Sequence, residues 1–235
     1  MLSLPKLALV GLVGLATPAA ATTLTFQNGF GGYAGADNES YSFDGTVSHD
    51  RLRIDLPNAS HPADSYAWLI FDDLFGPGAI PSGATLLSAT LEASVTNPFG
   101  SATLTRLLAD IADRPFGPGA SVLDGAGSFY DDTQLFSAAH PGCGNTTHCN
   151  PAAPISWDVT AIVQAWASGA ANFGFLVLPE TTDGGNLAAP DASHPSVRPR
   201  LVVTYQGNVI TVPEPSALAL LTLSLPALLW TRRRG

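Results

Sequence analysis

Leu87-Ser88-Ala89-Thr90-Leu91-Glu92-Ala93-Ser94-Val95 is the stretch that decides the fold class. Apolar and polar side chains alternate through it without a break, the period-two signature of a strand with one dry face and one wet face. Working outward, shorter stretches carry strand character at 22–27, 40–43, 51–56, 66–72, 102–109, 155–157, 173–178 and 201–205. Turn-forming clusters separate them, among them Gly76-Pro77-Gly78, Pro81-Ser82-Gly83, Asn97-Pro98 and Gly117-Pro118-Gly119. Many short strands with such punctuation predict an all-β chain, a jelly-roll-like antiparallel β-sandwich. Composition points the same way, since 23 glycines and 19 prolines in 235 residues are too much punctuation for a helical bundle.

One short helix interrupts the pattern. Val159, Ile162, Val163 and Trp166 fall at i, i+3, i+4 and i+7 and form one apolar stripe. Asp158 or Thr160 supplies an N-terminal cap and Gly169 a C-terminal stop, so a single helix is expected to plug one end of the sandwich or cover one edge.

The two ends read differently from the body. Residues 1–21 contain Lys6 as their only charge, then an apolar run at 7–16, then Ala19-Ala20-Ala21. That is the order of a secretory signal peptide, a signal helix cut before Thr22. At the other end a small polar joint, Gln206-Gly207-Asn208, and a linker, 207–212, lead through Val212, Pro213, Glu214 and Pro215 into an apolar run at 217–230, and then to Arg232, Arg233 and Arg234. Lys6 and the three arginines flank the apolar segments on their outer sides, which by the positive-inside rule leaves both ends cytoplasmic and exports what lies between. The fourteen-residue run reaches ~21 Å as a helix, short of a hydrocarbon core of ~30 Å, and Pro226 interrupts it. A tail this marginal suits a transient stop that awaits processing.

Pro213-Glu214-Pro215, the short hydrophobic helix and the terminal arginine cluster resemble the PEP-CTERM sorting signal at 213–235. The resemblance implies export through signal peptidase and Sec-type machinery. It implies transient inner-membrane anchoring by the C-terminal hydrophobic helix and recognition by an exosortase-type membrane enzyme. The destination would be the cell surface or extracellular matrix of a Gram-negative-type bacterium, in the setting of exopolysaccharide and biofilm.

The body between the signals, 22–206, is one domain of ordinary size. It holds six arginines, no lysine and eighteen acids, a formal charge of −12. A nucleic-acid partner is excluded by that balance, because phosphate backbones are held by Lys and Arg. Cys143 and Cys149 enclose Gly144-Asn145-Thr146-Thr147-His148. In an exported chain they read as a disulfide that pins a local loop and contributes only ~2 kcal/mol. The alternative is a metal site from the two cysteines with His140 and His148, although the Cys-x-x-Cys spacing of zinc is missing.

A second resemblance runs in outline over 66–205. Ile80-Pro81-Ser82-Gly83-Ala84-Thr85-Leu86-Leu87-Ser88-Ala89-Thr90-Leu91 is similar to the proline, small-turn, then strand signature of DNRLRE-type domains. Trp157-Asp158-Val159-Thr160 with Trp166, Gly169, Asn172 and Gly174, and then Pro199-Arg200-Leu201-Val202-Val203-Thr204-Tyr205, resemble their helix-to-strand segment and closing strand. The resemblance implies a jelly-roll sandwich related to carbohydrate-binding modules. Residues 44–63 depart from that pattern.

No catalytic motif is present: there is no His-Glu-x-x-His, no Gly-x-Ser-x-Gly and no Walker lysine loop. Gly29-Phe30-Gly31-Gly32 lacks a following helix pattern and reads as a turn. The acids Asp72-Asp73, Asp110 with Asp113, Asp131-Asp132, and Asp183 read as solvated loop groups, with a loop Ca2+ site as their functional version. His49, His61, His140, His148 and His194 read as surface residues, and Trp68, Trp157 and Trp166 as core. Tyr33, Phe129 and Tyr130 lie in loops as candidates for stacking on a sugar ring. The expectation is a non-catalytic surface or matrix protein associating with extracellular polysaccharide. The alternatives are a secreted glycan hydrolase with a carboxylate pair about 5 Å or about 6.5–9.5 Å apart, and a purely structural envelope protein.

Overall fold

The computed structural model describes residues 20–41, 46–56, 64–97, 99–114, 126–139, 154–180 and 184–207. Twelve strands are assigned there: β1 (Ala21–Phe26), β2 (Ala36–Tyr41), β3 (Val47–Ser48), β4 (Arg51–Ile54), β5 (Tyr66–Phe71), β6 (Thr85–Asn97), β7 (Ser101–Arg106), β8 (Phe136–Ala139), β9 (Pro154–Asp158), β10 (Phe175–Pro179), β11 (Gly185–Ala188) and β12 (Arg200–Gln206). One α-helix, α1 (Thr160–Ala167), lies between β9 and β10. The strands form two six-stranded antiparallel sheets. The first follows the order β1-β12-β6-β11-β4, with β9 also paired to β6; the second is β3-β2-β5-β10-β7-β8. Ala21–Gly207 makes up one compact unit, and the remaining residues, 1–20 with 208–235, fall outside the described residues apart from Ala20. The signal peptide, Val212, Pro213, Glu214, Pro215, the hydrophobic tail, Arg232, Arg233, Arg234, Cys143 and Cys149 therefore also lie outside them. Among the described residues no helix is long and apolar enough to cross a membrane.

The alternating stretch forms the centre of the first sheet. Leu91 sits between Leu201 of β12 and Trp157 of β9, and Ala89, Leu91, Ala93 and Val95 are all buried. Leu87 departs from the expected alternation. Thr204 pairs with Ser88 but Tyr205 pairs with Leu86, so Leu87 is the extra residue of a bulge. It is 49% exposed, while Leu86 takes the inward place at 6%. A bulge reverses the side-chain alternation locally, which no pattern within one strand announces. Leu86→Ala is expected to cost about 2 kcal/mol and Leu87→Ala to stay within ~0.5 kcal/mol, read from the midpoints of urea unfolding curves.

The second sheet is covered on both faces. Ala67, Leu69 and Phe71 of β5, with Phe175 and Val177 of β10, face the main core. Tyr66, Leu176 and Leu178 face a second cluster with Tyr41, Leu107, Ile111, Phe129 and Tyr130. That is why β5 and β10 read as nearly continuous apolar runs where β6 alternates.

Polar bonds join the layers at two places. The Ser40 hydroxyl of β2 accepts from the Arg53 N–H of β4 at 2.6 Å. On the β9 side, the Trp157 indole N–H donates to the Ala102 carbonyl of β7 at 3.1 Å. Helix α1 buries its expected stripe, Ile162, Val163 and Trp166, and Gly169 closes it in the left-handed region at φ +101. It covers the edge of β6 just where β9 leaves it. The Val159 N–H donates to the Ala89 carbonyl at 2.9 Å, and the Thr160 hydroxyl accepts from the Ala89 N–H at 2.9 Å. A side-chain oxygen thus replaces the next ladder acceptor, which turns the chain from strand to helix without orphaning a backbone donor. Asp158, expected as a cap, accepts from both the N–H and the hydroxyl of Thr160.

Candidate functional site

Between β1 and two glycine turns lies an open groove of about 530 Å³. One wall is the strand itself, Thr23, Leu24, Thr25 and Phe26, whose only partner among the described strands is β12. The opposite wall is the turn from β1 into β2. Gly29 N–H donates to Tyr33 O at 2.8 Å, Phe30 N–H to Gln27 O at 3.0 Å, and Tyr33 N–H to Phe30 O at 3.0 Å. Gly31 and Gly32 hold φ of +59 and +86, and a Cβ on either would meet nothing within 4 Å. These glycines serve the left-handed backbone, and they leave their peptide groups accessible to a ligand.

The turn is braced from behind. The Asn28 amide donates to Ala36 O at 2.7 Å and accepts from Ala36 N at 2.9 Å, closing the loop from both sides. Arg198 donates to Asn28 O at 2.9 Å and to Ala192 O at 2.7 Å, while Gln27 donates to Arg198 O at 2.7 Å. Tyr33 packs edge-on against Phe26 with ring centroids 5.3 Å apart, and its hydroxyl donates to Asp72 O at 2.9 Å. Burial, then the charges of Asp72 and Asp73, push the Tyr33 phenol above its ordinary range, so it stays a neutral donor. With its neighbour pinned, Phe30 stands out at 56% exposure.

The third side comes from Asp73 and the turn at Pro77, Gly78 and Ala79. Gly76 N–H donates to Ile80 O at 2.9 Å and Ile80 N–H to Leu74 O at 3.0 Å, with Gly76 and Gly78 at positive φ. Asp73, at φ +53, is the one non-glycine residue in the left-handed region among the described residues. Aspartate tolerates that conformation better than most side chains. Burial, then Asp73 and Asp37, raise the Asp72 carboxyl above its ordinary value.

The groove combines apolar faces (Leu24, Phe26, Phe30, Tyr33) with hydroxyls, open peptide groups and one carboxylate. Such a lining offers a ligand both apolar faces and hydrogen-bonding edges.

The other expected site residues are dispersed. Phe129 and Tyr130, expected as loop aromatics for stacking, are each 2% exposed and belong to the second core cluster, so neither offers an open ring face for stacking. Tyr33 reaches the groove, and Phe30 joins it. Its signal in the sequence was an aromatic flanked by glycines in a turn, where no neighbouring side chain is present to bury it. Asp110 caps the short 3-10 turn Ile111–Asp113 by accepting from Ala112 N at 2.8 Å. Asp132 and the buried Asp64 line a smaller pocket of about 190 Å³ with Tyr130. His49 and His194 are exposed, and His61, His140, His148 and Asp183 fall outside the described residues. Among the described residues no group of three or more His, Cys, Asp or Glu is placed to hold a metal ion. Trp157 and Trp166 are core, and Trp68 is half-buried with its indole N–H on Phe173 O at 2.6 Å.

Asp131 is structural. It is 7% exposed, meets the Arg106 guanidinium at 2.9 Å, and accepts from the Thr133 hydroxyl at 2.5 Å. Burial by itself pushes this carboxyl up, but the Thr133 and Arg106 hydrogen bonds outweigh it and hold the group below the usual carboxylate value. A depressed carboxyl contributes stability above its unfolded pKa and loses it as pH falls through the folded one. Melts across an acid pH series are therefore expected to decline through and below the ordinary carboxylate range, and Asp131→Asn is expected to flatten that decline. No family model matches the chain, and no curated protein matches it.

Proposed function

We propose that this is an exported, exosortase-sorted protein of the cell surface or extracellular matrix that binds polysaccharide without catalysis, using the groove between β1 and the turns at 29–33 and 76–80. The observation that carries the reading is an exposed Phe30 beside a pinned Tyr33 in a groove edged by hydroxyls, peptide groups and one carboxylate. Export and sorting rest on the signal-like 1–21, on Val212 to Pro215 and on Arg232, Arg233 and Arg234. The passage of the chain from β4 to β5, β6 to β7, and β9 through β10 to β11 alternates between the two sheets, which supports the finer description of the sandwich as jelly-roll-like.

The test is retention of the full chain, in a mild non-ionic detergent, on native exopolysaccharide and a glycan panel. Phe30→Ala is expected to weaken retention about tenfold, the loss of one stacking face. No retention on any glycan leaves the purely structural envelope reading in its place. Intact mass of the protein recovered from the envelope and medium tests the rest: loss of 1–21, loss of part or all of 213–235, and oxidised Cys143 and Cys149 are expected.

The hydrolase reading attaches to the smaller pocket, where Asp64 and Asp132 share a lining and both raise the Tyr130 phenol after burial has done so. Reducing-sugar release that disappears in Asp132→Asn would favour it over the binding reading.

A further inference from the structure

We propose that the groove selects glycans carrying protonated amino groups, the amino-sugar polymers, over neutral and uronate-bearing chains, and that Asp73 is the specificity-determining residue. This rests on the glycan-binding reading and names its ligand class.

Among the described residues, Asp73 is the only acidic or basic side chain lining the groove. Asp72 precedes it in the chain, and Asp73 and Asp37 each act on the Asp72 carboxyl, raising it after burial has done so. The field on this side of the groove is therefore set by acidic side chains, with no basic one in the lining. A uronate entering there meets like charge, and a neutral sugar gains only hydroxyl bonds. A protonated amine gains a charge-assisted bond to Asp73.

No cation of the exported body is placed to cancel that field. The body contains six arginines and no lysine. Arg51 pairs with Asp50 at 3.0 Å, Arg106 with Asp131 at 2.9 Å and Arg200 with Glu92 at 2.5 Å. Arg114 lies over the Tyr41 ring at 4.2 Å. Arg198, bonded to the 29–33 turn through Asn28 O, donates from Nη1 to that carbonyl and from Nε to Ala192 O and does not line the groove. Arg53 lies on β4, which belongs to the far end of the first sheet's strand order from β1. Beyond the groove, a formal charge of −12 on the body draws polycations and repels polyanions over the distance of the Debye length.

The experiment titrates the full chain in non-ionic detergent with three short oligosaccharides: glucosamine at a pH where its amines are protonated, N-acetylglucosamine, and galacturonate. At low salt the glucosamine chain is expected to bind about fivefold more tightly than the N-acetylated chain, the scale of one partly exposed ion pair, with the galacturonate chain weakest. Raising the salt, or Asp73→Asn, is expected to bring the first two affinities together; asparagine also tolerates the left-handed backbone at this position. Equal affinity of the wild-type protein for the glucosamine and N-acetylated chains, with both weakened by Phe30→Ala, overturns the charge selection and leaves the glycan groove standing. Glucosamine binding indifferent to Asp73→Asn and Phe30→Ala is diffuse adsorption to an acidic surface and overturns the proposal. Absence of binding to all three overturns it together with the glycan-binding reading.

Discussion

Trp157→Ala is expected to destabilise the sandwich by about 5 kcal/mol, the upper end of what a large buried aromatic loses on truncation. Trp157 is 2% exposed, and its ring lies between the two sheets while its indole N–H donates to Ala102 O on the opposite sheet. Truncation removes the ring, leaves a cavity where β9 meets β7, and strips a buried carbonyl of its donor. Against a total stability of roughly 5–15 kcal/mol for a domain, the variant is expected to be largely unfolded or to unfold at much lower urea. Trp157→Phe separates the two contributions. It keeps most of the ring and loses the donor, and about 1–3 kcal/mol is expected from the orphaned carbonyl. Equal losses in both variants would mean that the ring's packing contributes little and the inter-sheet bond nearly everything.

The second large effect is expected at Gly174→Ala, at about 3 kcal/mol. Gly174 has φ +89, a region that costs a side-chain-bearing residue roughly 1–2 kcal/mol. A Cβ there would also sit 2.7 Å from Leu69 O, 2.7 Å from Trp68 Nε1 and 3.1 Å from Ile70 Cβ. Two of these contacts are to polar atoms of β5, so the strand or the indole must shift, which adds roughly 1–3 kcal/mol. Gly31→Ala is the control. It has φ +59 with nothing within 4 Å of its Cβ, so only the backbone cost of ~1–2 kcal/mol is expected. Urea curves of the two variants measure the difference, and equal losses would show that close approach at Gly174 is relieved without cost.

Gly174 also bears on the groove. Its N–H donates to the Asn172 side chain at 3.0 Å, and the Asn172 amide donates to Phe71 O at 2.8 Å. Phe71 ends β5 immediately before Asp72 and Asp73, so this short crossing holds the strand end from which the acidic wall emerges. Gly174→Ala is therefore expected to weaken glycan retention as well as stability.

Several elements were legible from local pattern alone. The alternation of β6 gave it a dry face whose residues, apart from Leu87, are buried, and 201–205, read as a strand, lies within β12. The stripe of α1 and its stop at Gly169 came from a 3.6-residue period and a left-handed glycine. The 29–33 segment read as a turn and connects two strands. Other strands were hidden by their composition. Beginning at Ala36, β2 carries Asp37, Asn38, Glu39 and Ser40, and its polar Asn38 and Ser40 are the buried ones. The strand β11 is Gly185-Asn186-Leu187-Ala188, which resembles a turn, yet a side chain at Gly185 would collide with Phe99 at 2.3 Å. At β8, Phe-Ser-Ala-Ala offers too little contrast between faces.

What the chain determined by itself was periodicity: strand, helix and turn follow from which neighbours two, three or four residues apart share a face. The tertiary structure alone decided which faces meet a second layer. It turned Leu87 outward through a bulge set by its partner strand, covered the outer face of the second sheet with Phe129 and Tyr130, and gathered Phe30 and Tyr33 of one turn and Asp73 of another segment into one groove. Backbone period is a property of a few consecutive residues, whereas burial and the meeting of distant loops depend on contacts that no short window contains.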